Sequence, residues 1–152
     1  MVISLKDFLA REVKPALGCT EPGAVALAVA RACEELPDRK DVASIRVIVS
    51  SSIYKNGMAV GIPGARGARG NAIAAALGAI CGEAKNSLEV LQNSTAEDVS
   101  LAERWVQGER VIITCDREKS GVTTRSLMVA KGAPGRGPAK KKEKVCISSK
   151  KS

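Results

Sequence analysis

Apolar residues crowd the first third of the chain so densely that no polar face remains: Ala24-Val25-Ala26-Leu27-Ala28-Val29-Ala30 carries no charge before Arg31. Pro22 suits a first helical turn and Pro37 bars continuation, so the pattern predicts a helix from about Pro22 to Leu36, buried on every side. Upstream, Ser4-Leu5-Lys6-Asp7 resembles a capping box opening a short helix toward Val13 that stops before Pro15. Downstream the period changes to two. Ile45, Val47 and Val49 alternate with Ser44, Arg46 and Ile48, which predicts a strand over Ala43 to Ser50 with one face in the core.

Glycines then recur at 57, 61, 64, 67 and 70, giving backbone able to adopt positive φ and to approach a neighbour closely. The spacing matches neither a dinucleotide fingerprint nor a P-loop, which disfavours a nucleotide site. A small-residue helix is predicted over Asn71 to Cys81, with Asn71 as its N-cap. Thr95-Ala96-Glu97-Asp98 opens another, with a one-sided apolar stripe through Val99, Ala102, Trp105 and Val106, where Trp105 is a packing residue. Val111 to Cys115 and Val122 to Val129 read as a β-hairpin. The expected fold is α+β: buried alanine-rich helices packed with a small sheet or hairpin.

Charge divides the chain in two. Residues 1–130 hold 16 Lys/Arg against 15 Asp/Glu, whereas 131–152 hold 8 against Glu143 alone, so +7 of the net charge of +8 belongs to the end of the chain. Residues 1–131 are read as one domain and 132–152 as a disordered basic tail, too poor in apolar residues to offset chain entropy. No aromatics interleave its lysines, so nucleic-acid binding is disfavoured against a solvated appendage.

The chain has no histidine, which excludes Ser-His-Asp and Cys-His nucleophile systems and the zincin motifs. Its five cysteines, at 19, 33, 81, 115 and 146, form no C-x-x-C pair, so neither a disulfide framework nor a zinc ribbon fits. No leader or membrane-spanning run is present, and a reducing cytoplasm is expected. Cys33, Cys81 and Cys115 lie on apolar elements and read as small buried hydrophobes, and Cys146 as an incidental exposed thiol. Cys19 differs. In Gly18-Cys19-Thr20-Glu21-Pro22 it occupies a turn before the buried helix, where unpaired N–H groups favour a thiolate and make it a candidate metal ligand.

Read together, Gly18-Cys19-Thr20-Glu21-Pro22, Ile53-Tyr54-Lys55-Asn56-Gly57 through Gly61-Ile62-Pro63-Gly64, and Asn71 to Ala79 resemble, in that order, the N-terminal portion of the L-cysteine desulfidase and L-serine dehydratase alpha-type family. The similarity runs from about Leu5 to about Gln107. It implies α,β-elimination without pyridoxal phosphate at a 4Fe-4S cluster ligated by Cys19. L-cysteine would give pyruvate, ammonia and sulfide, and L-serine pyruvate and ammonia. The remaining cluster ligands would lie in a C-terminal portion with no counterpart here, so a truncated or split enzyme is expected, inactive without a companion chain. Lys55 and Asn56 are candidates for the substrate carboxylate, Thr20 for a cap or a further substrate contact, and Glu21 for an ammonium or a proton. Ser50, Ser51 and Ser52, and Ala65-Arg66, depart from the family's more usual residues. The alternatives are a non-catalytic remnant domain and a nucleic-acid binder acting through the tail.

Overall fold

The computed structural model describes Ser4, Lys6, Asp7 and residues 20–119, together with the backbone of residues 124–130 and 141–146. Most of the helix expected between Ser4 and Val13 lies outside the described residues, as does Cys19; within it, the Lys6 N–H donates to Ser4 Oγ at 3.2 Å.

The alanine run forms helix α1, Thr20–Cys33, in which every residue from Pro22 to Ala30 is buried. A 3-10 turn, Arg39–Asp41, capped by Asp38 accepting from the Lys40 N–H, leads into strand β1, Val42–Ser50. Ile45, Val47 and Val49 are each no more than 1% exposed and Arg46 is exposed, as the alternation requires. Helix α2, Ser51–Gly57, follows at once, then the glycine loop and helix α3, Asn71–Ile80. A second 3-10 stretch, Ala84–Glu89, precedes helix α4, Ala96–Gln107. Strands β2 (Val111–Asp116), β3 (Thr124–Ala130) and β4 (Lys141–Cys146) complete the described elements.

The four strands form one sheet in the order β2-β1-β3-β4. β2 runs parallel to β1, β3 antiparallel to β1, and β4 antiparallel to β3. Helix α1 lies against β3 and β4, α3 lies against β1 and β2, and α4 packs on α3. The molecule is α+β, with the core between the helical layer and the inner face of the sheet.

Two expectations are corrected. The hairpin of 111–115 with 122–129 does not form, because β1 sits between the two strands and pairs with both. Neighbouring strands in sequence usually pair, but here β1, whose Ile45, Val47 and Val49 are buried, takes the place between β2 and β3. Residues 141–146, placed in a disordered tail, form the edge strand β4, with Lys144 opposite Ser126 and Cys146 opposite Thr124. The entropy argument weighed apolar side chains and left out main-chain pairing. A lysine-rich segment cannot build a core, yet lysine is a usual resident of sheet edges.

Helix α4 begins as its sequence predicts. Thr95 Oγ1 accepts from the Asp98 N–H at 3.2 Å and Asp98 Oδ2 accepts from the Thr95 N–H at 2.9 Å, closing a capping box. Trp105 is buried, with the Arg110 guanidinium 3.9 Å above its ring. That guanidinium also donates to Ala43 O at 3.0 Å and Val42 O at 2.6 Å, tying the end of α4 to the start of β1. Among the described residues no helix is long and apolar enough to cross a membrane.

The contact between α1 and α3 depends on small residues. A Cβ on Gly78 would collide with Ala26 O, and one on Gly82 would stand 2.9 Å from the Ala30 Cβ. Gly78→Ala must therefore push the two helices apart, and a loss of about 1–3 kcal/mol in a urea unfolding curve is expected. Gly61→Ala, at a position with nothing within 4 Å of the added carbon, is expected to stay within about 0.5 kcal/mol of the parent.

Candidate functional site

Helix α1 presents Thr20 and Glu21 in its first turn, where the helix dipole favours a carboxylate. The chain returns to this point after β1. Helix α2 carries Lys55 and Asn56 outward, while Ile53 (0% exposed) and Gly57 face the core. Asn56 Nδ2 donates to Glu21 Oε1 at 3.4 Å, and Thr20 Oγ1 donates to Glu21 Oε2 at 3.4 Å. Two motifs 35 residues apart thus meet at one carboxylate. Thr20, Asn56 and Glu21 stand together, with Lys55 exposed on the same short helix.

Residues 51–57 are helical although nothing in their sequence announces a helix. Seven residues with an isoleucine, a tyrosine and a terminal glycine make a poor isolated helix. Docking supplies the difference. Asn71 Nδ2, in the first turn of α3, donates to Ile53 O at 3.0 Å, and any Cβ on Gly57 would strike the Asn71 amide. Asn71 is 4% exposed, and its Oδ1 is the one buried side-chain acceptor without a partner among the described residues. It is therefore not the N-cap that its position suggested. Gly70 is the cap, at φ 91°, and a Cβ there would lie 2.9 Å from Met58 O. The asparagine is turned away from its own helix to hold α2, a role no local sequence signal reveals.

The glycine loop closes on itself. Gly61 bridges Arg69, the Ile62 N–H donates to Ala68 O at 2.9 Å, and the Gly70 N–H donates to Val60 O at 3.1 Å. Gly64, at φ 79°, lets the loop sit against Leu91 O, where a Cβ would come within 2.7 Å, and its own carbonyl accepts from Ser94 Oγ at 2.7 Å. Its glycines serve turns and backbone packing.

The described cysteines do not resemble metal ligands. Cys33 is 1% exposed, and burial pushes its thiol from the ordinary 9.0 up to about 11. Burial, reinforced by Asp98, pushes Cys81 up to about 12, and its Sγ donates to Leu77 O at 3.5 Å. Cys33 lies in the core and Cys81 packs against it, as expected of those two, while Cys115 is half-buried on β2. Among the described residues no group of three or more Cys, Asp or Glu could hold a metal ion. They do not by themselves fit a 4Fe-4S cluster, and the expectation placed on Cys19 lies outside them.

Comparison with known proteins corrects the family resemblance. No protein-family model matches the chain. No solved structure matches it either. The chain is similar to a "UPF0597 protein" of Kosmotoga olearia, 51% identical over 121 residues, covering 80% of this chain and 29% of the relative. It is similar to one of Nitratidesulfovibrio vulgaris, 57% identical over 100 residues (66% and 22%), and to one of Clostridioides difficile, 49% identical over 108 residues (71% and 25%). The chain spans less than a third of the length of these relatives. Their names state neither a desulfidase nor a dehydratase, so the resemblance to the L-cysteine desulfidase and L-serine dehydratase alpha-type family is not upheld. The described parts of the motifs behind it are the first turn of a buried helix and a short helix before a glycine loop.

Asn71→Asp replaces the donor to Ile53 O by a buried carboxylate of nearly the same shape. A loss of at least about 2 kcal/mol at pH 7 is expected in urea unfolding. It should shrink as pH falls toward about 3.9, below which the acid is protonated in both states and can donate again.

Cys33 and Cys81 also set a pH dependence. Above their ordinary value of 9.0 the unfolded chain releases thiol protons that the folded chain keeps to about 11 and about 12. Their contribution is fully present below pH 9 and is lost as pH rises toward those values. Comparing urea midpoints of the parent with Cys33→Ala between about pH 8 and about pH 11 should show a shallower fall in the variant.

Proposed function

We propose that the junction of α1 and α2 takes a small α-amino acid, and that this chain is the substrate-binding part of a lyase performing α,β-elimination on L-cysteine or L-serine. The observation that carries the reading is the contact of Asn56 with Glu21, which joins the two motifs that stand out in the sequence. Glu21 offers a carboxylate to the substrate ammonium. Lys55 supplies a point charge, and Asn56 an amide, for the substrate carboxylate. Thr20 orients Glu21 through its hydroxyl. Glu21 supplies an anion and Lys55 an exposed cation on the adjoining helix, the two charges that a zwitterion requires.

In the reaction a base removes the α-proton while the β-thiol or β-hydroxyl departs. The enamine then tautomerises and hydrolyses, so that L-cysteine and one water yield pyruvate, ammonia and sulfide, and L-serine yields pyruvate and ammonia. The described residues do not supply an iron-sulfur site. On this reading further groups come from a companion polypeptide, in keeping with the chain's covering 29% of the Kosmotoga olearia relative.

The test is an amide NMR titration of this chain with L-serine and L-cysteine, together with a pyruvate assay under anaerobic conditions. Shifts confined to residues 20–21 and 55–57, weakened about tenfold by Glu21→Gln or Lys55→Ala, are expected, about 1.4 kcal/mol of binding each. No shift at millimolar amino acid would reject the reading. Pyruvate should appear only when the chain is combined with the remainder of a longer relative.

A further inference from the structure

Helix α1 is buried along almost its whole length, whereas of the seven residues of α2 only Ile53 and Gly57 are buried. One buried isoleucine sets little against the cost of nucleating so short a helix. A polar anchor therefore weighs more in the placement of α2 than it does in that of α1. The anchor is Asn71 of α3, whose Nδ2 donates to Ile53 O at 3.0 Å. Its amide also takes the space of a side chain at 57: the three heavy atoms nearest to a Cβ there are Oδ1, Nδ2 and Cγ of Asn71. Gly57 is not among the glycines at positive φ, so its backbone accepts alanine, and the glycine is there for the amide.

The anchor carries a cost. Asn71 Oδ1 is buried without a partner among the described residues. An apolar residue of similar shape would leave nothing unsatisfied, and would also lose the donor aimed at α2. We infer that Asn71 is a positioning residue for amino-acid binding: it does not touch the ligand, it holds α2 docked, and so it keeps Asn56 beside Glu21. The inference rests on the reading of the α1–α2 junction as an amino-acid site. α2 is then a two-state element, docked or released, and Asn71 and the ligand favour the same state. A released α2 takes Lys55 and Asn56 away from Glu21, so the apparent affinity is scaled by the docked fraction. By linkage, a bound amino acid draws a released α2 back.

The test uses the whole chain, L-serine as the probe, and the variants Asn71→Ala, Gly57→Ala and both together, with Thr95→Ala as a control. Gly57→Ala should lower the urea midpoint of the parent, where the added carbon strikes the amide. In the N71A background the same change should raise it, because the space is open and alanine favours a helix over glycine. Affinity for L-serine, read from amide shifts, should fall at least about tenfold in N71A and in the double variant. The double variant refills part of the space, so it carries the affinity measurement where N71A alone is too unstable. T95A removes the capping box of α4 and lowers the midpoint without touching α2, and its affinity should stay within about twofold of the parent's. Saturating L-serine should slow exchange of amides 55–57 in N71A by at least about tenfold. Parent-like affinity in the double variant, equal weakening in T95A, or α2 amides indifferent to L-serine in N71A would each overturn the positioning role while leaving the amino-acid site standing. A parent that takes no L-serine would instead reject the site itself, and the role with it.

Discussion

The close approach of α1 and α3 is the constraint from which the rest of the structure follows. Glycine at 78 lets the backbone of one helix meet Ala26 of the other, and Gly82 continues the contact beside Ala30. Alanines along both helices keep the seam thin, so α1 can be buried from Pro22 to Ala30 although it lies beside only one layer of strands. Small side chains bury little area each, and close packing supplies dispersion contacts in its place. The C-terminal ends are held by Arg39, which donates to Gly82 O at 2.7 Å.

The candidate site depends on that packing at one remove. With α3 fixed, its first residue Asn71 reaches Ile53 O and admits only glycine at 57, which fastens α2. With α2 fastened, Asn56 arrives beside Glu21 at the start of α1. Core and site are therefore coupled through a single buried amide. The unpartnered Asn71 Oδ1 marks the strain of the arrangement, because a buried acceptor left without a donor costs free energy that the surrounding packing has to offset.

Elements with strong local signals are legible in the amino-acid pattern. The alanine helix, the alternation of β1 and the Thr95–Asp98 capping box all occur where that pattern puts them. The departures share a cause. The expected hairpin, the expected Asn71 cap, the unforeseen helix α2 and the strand at 141–146 all depend on a partner distant in sequence: β1, Ile53, α3 and β3 respectively. The family resemblance fell on similar ground, since short motifs report local turns and the relatives share a longer span.

What the amino-acid sequence by itself determined is the set of periodic elements, the α+β class and the packing role of Cys33 and Cys81. These follow from hydrophobic periodicity and residue type, which act over a few neighbouring residues. Only the tertiary structure decided the strand order, the helicity of residues 51–57, the self-closure of the glycine loop and the meeting of Asn56 with Glu21. Each of those is settled by contacts between separate segments of the chain. Their free energy comes from burial and main-chain pairing across the fold, which no local window of sequence contains.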